Sequence, residues 1–141
     1  MTTTFERVGL KVHQWLYERS GGRIGRSLAG RPMLLLRTVG AKTGEPRTAA
    51  LLYVPHGSDA FAVFASTGGG PRHPGWYHNL QARPEAEVQV GTERFAVRAR
   101  VAEGAERDEL WAKGNEVNKG QYDVYQSRTE RRIPVVVLER R

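Results

Sequence analysis

Ala86-Glu87-Val88-Gln89-Val90-Gly91-Thr92-Glu93-Arg94-Phe95-Ala96-Val97-Arg98-Ala99-Arg100-Val101 is the stretch whose reading decides the fold. Ala86, Val88 and Val90 alternate with Glu87 and Gln89, and after Gly91-Thr92 the alternation resumes at Phe95, Val97, Ala99 and Val101. A period of two on either side of a two-residue turn is a β-hairpin with one buried face. Working outward, residues 33–39 and 47–54 are two further runs of strand formers. Gly40-Ala41-Lys42-Thr43-Gly44-Glu45-Pro46 between them is turn chemistry, which predicts a second hairpin with an enlarged basic loop. His56-Gly57-Ser58-Asp59 turns the chain into a buried strand at 60–65, and 133–138 closes the chain as a strand. Pro134, which has no N–H to give a ladder, points to an edge position or a strand start.

Helical patterns lie around this sheet. Thr3 and Glu6 form a capping box ahead of Phe5, Val8, Val12, Trp15 and Leu16, so 1–22 reads as an amphipathic, basic N-terminal helix. It either covers its own domain or a partner subunit, or lies on an anionic membrane surface. A short helix is expected over 76–82 after Pro74, a charged surface helix over 103–118, and a helical turn that puts Tyr122 and Tyr125 on one side. The fold class is therefore a β-rich α+β domain, a barrel or strongly coiled sheet of about six mostly antiparallel strands with peripheral helices. The first half lacks the strand–helix alternation of a parallel nucleotide-binding fold.

The chain has 141 residues, which reads as one domain spanning 1–141. Without cysteine there are no disulfides, thiolate metal sites or cysteine nucleophiles, and the expected compartment is the cytoplasm. No run approaches about 18 apolar residues, and the N-terminus lacks a secretory h-region. Lys+Arg of 22 against Asp+Glu of 15 gives a net +7, a field that attracts anions. The basic residues are mostly single arginines between apolar ones, such as Arg94, Arg98 and Arg100, and not a lysine block. That pattern fits a solvated strand face or a localised anion site, and no nucleic-acid partner is expected.

Chemistry concentrates in Ser66-Thr67-Gly68-Gly69-Gly70-Pro71-Arg72-His73-Pro74-Gly75-Trp76-Tyr77-His78-Asn79. Its glycines allow close backbone approach, its prolines stiffen it, and Trp76 and Tyr77 could wall a planar ligand; the alternative is a long surface connection. Lys42, Thr43 and Arg47 in the basic turn could hold a phosphate or carboxylate, although Ala41 and the strand that follows exclude a P-loop. No Gly-x-Ser-x-Gly elbow is present. His73 and His78 lie five apart with no carboxylate at ligand spacing, so no metal site is expected. Tyr122 and Tyr125, with Trp76 and Tyr77, could stack on a ring or pack a core. Composition and spacing alone reach a small β-rich domain with an anion and aromatic site, and choose no reaction.

Gly40-Ala41-Lys42-Thr43-Gly44-Glu45-Pro46-Arg47, Ser66 with its following glycines, His73-Pro74-Gly75-Trp76-Tyr77-His78-Asn79-Leu80, and Tyr122-x-x-Tyr125-Gln126-Ser127-x-Thr129 occur in an informative order and spacing. In these motifs, which span about residues 34–138, the chain resembles the deazaflavin (coenzyme F420)-dependent nitroreductases and quinone reductases. The resemblance implies a split β-barrel, assembly as a homodimer, and coenzyme F420 as cofactor, with flavin mononucleotide (FMN) on the same barrel as the alternative. It implies hydride transfer from the reduced deazaflavin to a small-molecule electron acceptor: a quinone, an enone or a nitro compound. A non-catalytic deazaflavin or anionic-surface binder is the reading from another class.

By the same resemblance, Lys42, Thr43 and Arg47 match phosphate and tail contacts. Ser66, Thr67, Gly68, His73, Pro74, Trp76 and Asn79 match the deazaflavin side of the site or orient its loop. Tyr122 and Tyr125 match substrate-side tyrosines that would hydrogen-bond a developing oxyanion, and with Ser66 they are the expected catalytic groups. Four residues depart from the family pattern. Ala41 and Thr67 occupy places where the family often carries arginine and lysine, and Lys119 and Arg128 replace pocket aromatics, which implies a more open and more basic substrate side.

Overall fold

The structure of the protein, a computed structural model, describes residues 27–28 and 31–141; the expected helix within 1–22 lies outside them. The stretch read first forms strands β5 (Glu85–Val90) and β6 (Glu93–Val101), paired antiparallel from Glu85↔Arg98 to Val90↔Glu93. Gly91 takes φ 59° in the turn, a left-handed conformation that glycine adopts without a Cβ clash. The basic hairpin is equally direct. Strand β2 (Arg31–Val39) pairs with β3 (Pro46–Pro55) from Met33↔Leu52 to Val39↔Pro46. A two-residue strand β1 (Ser27–Leu28) folds back on the start of β2.

Strand β4 (Ala60–Phe64) pairs with β3 and with the final strand β7 (Val135–Arg140), which in turn pairs with β6. Leu36↔Val88 and its neighbours join β2 to β5, so the order β2-β3-β4-β7-β6-β5 closes on itself. Every pairing is antiparallel, and closure removes the sheet edges that would otherwise need protection. Pro134 therefore marks a strand start and not an edge: β7 begins one residue later, between β4 and β6.

Inside the barrel, Leu34, Leu36, Val63, Val88, Val97, Val136 and Leu138 form one buried cluster. The alternate residues of β4 and β7 form a second, with Ala62, Phe64, Val135 and Val137 facing outward. Helices α2 (Gly104–Val117) and α3 (Gln121–Ser127), both from the excursion between β6 and β7, cover that outer face with Leu110 and Tyr122. Strands covered on both sides read as continuous apolar runs, whereas β5 and β6 keep one polar face and alternate. Helix α1 (Gly75–Ala82) packs Leu80, Trp76 and Tyr77 against the inner cluster and so lies across one end of the barrel. Among the described residues no helix is long and apolar enough to cross a membrane.

Candidate functional site at the helix-capped end of the barrel

Three segments meet at this end: the 40–45 turn of the β2–β3 hairpin, the loop from Ser66 into α1, and α3. The turn is closed by Gly40 N–H donating to the Glu45 carbonyl at 2.8 Å and Gly44 N–H to the Gly40 carbonyl at 2.9 Å, with Gly44 at φ 72°. Thr43 turns inward: its Oγ1 accepts from Glu45 N–H at 3.2 Å and lies where a Cβ on Gly40 would sit. Lys42 is exposed. Arg47 is half-exposed and, among the described residues, held only by the Glu45 carboxylate at 3.4 Å and the Pro46 carbonyl at 3.2 Å. Solvent screens such a pair, which leaves the guanidinium available to a stronger anion.

Asn79 connects this turn to α1. Its side chain is buried, its Nδ2 donates to Thr38 Oγ1 at 3.0 Å, and its Oδ1 accepts from Ala41 N–H at 2.9 Å. These two bonds tie the basic turn to α1, which also carries Trp76. Pro74 sits at the N-cap of α1 in extended conformation (φ −67°, ψ 155°), where its missing N–H costs nothing. Between the hairpin and α1 lies a cavity of about 300 Å³ lined by Thr38, Arg47, Thr48, Ala49, Gly75, Trp76 and Asn79. A Cβ added at Gly75 would meet nothing within 4 Å, so the backbone is open to a bound group there.

The loop from Ser66 is held from behind. Thr67 has φ 44°, unusual for a β-branched residue, and its hydroxyl lies 2.7 Å from the Ser66 carbonyl and 3.0 Å from the Arg72 carbonyl. Thr67 thereby ties the loop to itself. Ser66 Oγ is engaged by no hydrogen bond among the described residues. Gly68 (φ 63°) and Gly69 (φ 85°) complete the turn, and a Cβ on Gly69 would lie 2.7 Å from the Tyr125 carbonyl oxygen. Only glycine permits α3 to approach the loop this closely. His73 Nδ1 is 3.0 Å from Arg131 Nη1 and its ring packs on Tyr77. Burial, then the Arg131 charge and His78, push the imidazole below its ordinary pKa.

The two tyrosines part company. Tyr125 is half-exposed at the loop–α3 contact, with the Arg128 guanidinium 5.6 Å from its ring centroid and Arg128 Nη1 donating to the Gly68 carbonyl at 3.2 Å. Tyr122 is only 4% exposed, stacked on Phe64 at 4.2 Å, and sits in the outer core cluster. Three residues along a helix are about 60° apart on its circumference, enough to put one ring into the core and leave the other at its rim. Of the two tyrosines expected on the substrate side, Tyr122 lies in the outer core cluster and Tyr125 at its rim. Tyr77 likewise packs against the inner core, leaving Trp76 as the cavity's aromatic wall.

The structure brings the expected site residues Arg47, Trp76 and Asn79 to one cavity, beside Thr38, Thr48, Ala49 and Gly75, which the motifs did not single out. The motifs also missed Arg131, whose guanidinium reaches across to the 65–73 loop. Nothing local marks it: next to Arg132 it reads as surface charge, and only the register of the chain after α3 brings it behind the loop.

An indole wall, an open glycine and a loosely held guanidinium in one cavity, next to an exposed lysine, suit a flat ring bearing an anionic chain. The comparisons with known proteins agree. The F420H(2)-dependent quinone reductase family matches residues 9–140. The F420H(2)-dependent quinone reductase Rv1261c of Mycobacterium tuberculosis (strain ATCC 25618 / H37Rv) is 50% identical over 135 residues, covering 94% of this chain and 90% of that protein. Among solved structures, an F420-H2 dependent reductase (FDR-A) is 40% identical with a TM-score of 0.70, over 77% of this chain and 95% of its own. A structure titled a domain-swapped dimer is 35% identical with a TM-score of 0.72, over 97% of this chain and 100% of its own. These likenesses speak for the deazaflavin and give the FMN alternative no support. The chain belongs to the F420H(2)-dependent quinone reductase family.

Proposed function

We propose that this chain reduces a quinone with coenzyme F420 held across the cavity between the 40–47 hairpin tip and α1. The observation that carries the reading is that one cavity joins Arg47 to the Trp76 indole and the open backbone at Gly75. When bound, the reduced deazaflavin supplies the hydride. The chain's own residues then have distinct tasks. Lys42 and Arg47 take the phosphate and glutamate tail by charge-assisted hydrogen bonds. Trp76 walls the ring, and Ser66 Oγ offers a hydrogen bond beside it. Thr43, Thr67 and Asn79 act through the backbone they hold, Gly68 and Pro74 by the turn and helix start they set.

In this reading the half-exposed Tyr125, across the Ser66–Gly70 loop, donates its hydroxyl to the acceptor oxygen as negative charge grows there, and the nearby Arg128 guanidinium adds positive potential. Half-exposure of Tyr125 leaves water to deliver the proton. Tyr122, stacked on Phe64, supports α3 from beneath. A quinone is the member of the expected acceptor set that the family supports. A homodimer is the proposed assembly, supported by the domain-swapped dimer among the structural relatives; light scattering of the purified protein decides it.

The test is a fluorescence titration with oxidised F420 run beside FMN, followed by quinone-dependent recovery of the coenzyme's near-420-nm band. Saturable F420 binding, weaker FMN binding and quinone-dependent turnover are expected. Preferential FMN binding, or F420 binding without turnover, would sink the proposal.

A further inference from the structure

The N–H donors of Arg131 are spent on a single segment. Nε donates to the Gly70 carbonyl at 2.9 Å, Nη1 to the Ala65 carbonyl at 3.0 Å, and Nη2 to the Ser66 carbonyl at 2.8 Å and Thr67 Oγ1 at 2.9 Å. Nη1 also lies 3.0 Å from His73 Nδ1. These acceptors begin at residue 65 and end at residue 73, and they bracket both the left-handed Thr67 and the glycine turn. No carboxylate forms an ion pair with Arg131 among the described residues, although partly buried guanidinium groups usually have one. The group is satisfied by carbonyl dipoles, a hydroxyl and an imidazole instead.

We infer that Arg131 is the positioning residue of the 65–73 loop, and that it fixes His73 as the neutral tautomer with its proton on Nε2. The chemistry leaves no other arrangement at His73. A guanidinium donates and never accepts, so the facing Nδ1 carries the lone pair and the ring proton resides on Nε2. A protonated imidazole would set two N–H groups against each other. The groups around this ring include Arg131, His78 and Tyr77, and no acid among them favours the imidazolium. The strain at Thr67 has the same origin. A β-branched residue holds a left-handed backbone only when its surroundings over-determine it, and here Arg131 grips the carbonyl before it and the hydroxyl on it.

That the loop serves the coenzyme rests on the function proposed above; that Arg131 shapes the loop does not. The experiment separates the two. Ring-nitrogen NMR of the histidines in the unaltered protein, near neutral pH, is expected to show His73 neutral, with Nδ1 shifted as an acceptor and the proton on Nε2. An Nδ1–H tautomer or an imidazolium overturns the inference whatever the protein binds. Arg131→Gln and Arg131→Lys are then compared. Both should lose the Nδ1 acceptor signature and weaken F420 binding about tenfold or more, since several hydrogen bonds to a charged group go together.

Lysine keeps the charge but cannot span these acceptors. If Arg131→Lys restores wild-type affinity, charge alone matters and the positioning role fails. Should Arg131→Gln not fold, Arg131→Lys and the wild-type spectrum still decide. A wild-type protein with the expected tautomer but no affinity for F420 would refute the coenzyme reading and leave Arg131 in place.

Discussion

Lys42 and Arg47 are the residues whose removal most directly tests the charged end of the site. Neither is locked: Lys42 is exposed, and Arg47 leans on a carboxylate that is itself 69% exposed. Hydrogen bonds to charged groups contribute about 1.5–3 kcal/mol. The double change Lys42→Ala with Arg47→Ala is therefore expected to raise the F420 dissociation constant by about tenfold or more, with little loss of melting temperature. Unchanged affinity in the fluorescence titration would take the hairpin tip out of the site. Thr43 and Thr67 carry a different lesson. Both are hydroxyl residues in glycine-rich turns, and each satisfies backbone groups of its own turn. A short polar side chain finds such partners within two residues more readily than it reaches a ligand.

At the scale of elements, α2 shows how a helix–sheet contact overrides local propensity. Gly114 lies inside α2, where alanine is favoured over glycine by about 1 kcal/mol. Propensity alone predicts that Gly114→Ala stabilises. A Cβ there would lie 2.8 Å from Phe64 Cε1, and Phe64 is 5% exposed and stacked on Tyr122, so its ring has nowhere to go. Overpacking costs typically about 1–3 kcal/mol and wins. Gly114→Ala is expected to lower the denaturant midpoint, and a raised midpoint would show that α2 rides away from β4 without cost. The glycine that disfavours this helix locally is thus the residue that lets it dock.

The whole molecule is tied together away from the site by one charged cluster. Arg100 on β6 donates through Nη1 and Nη2 to the two Glu106 oxygens at 2.5 and 2.7 Å, and through Nε to Glu139 on β7 at 2.8 Å. His56, in the β3–β4 turn, is 2.9 Å from Glu106 on α2. Hydrogen bonding from Arg100 first, and from His56 next, pulls the Glu106 carboxyl down to about 2. A carboxylate with a depressed folded-state pKa stabilises the fold above its unfolded pKa, and that contribution is lost as pH falls through the folded value. The melting temperature of the wild type should exceed that of Glu106→Gln at neutral pH. The gap should close as pH drops from about 4.5 toward about 2. A gap that stays constant over that window would mean the cluster adds nothing to acid stability.

How much of this was legible in the sequence follows from the range of the interactions. The period-two alternation, the glycine turns and the proline at a helix start are local, so the strands β2 to β7 and helices α1 and α2 were readable within a few residues of their ends. The motifs marked Arg47 in one turn and Trp76 and Asn79 at a helix start, and the barrel closure brings the two segments to one cavity. What only the tertiary structure decided is which partner each polar group meets. The i,i+3 spacing of Tyr122 and Tyr125 does not say which ring the sheet buries. Pro134 left open an edge strand or a strand start, and only the placement of β7 between β4 and β6 chooses the start. Arg131 reaches its acceptors across more than 50 residues of sequence, and no pattern within a helical turn or a hairpin encodes that distance. Local backbone preference fixed the elements of this protein; packing and hydrogen-bond satisfaction between distant segments fixed the site.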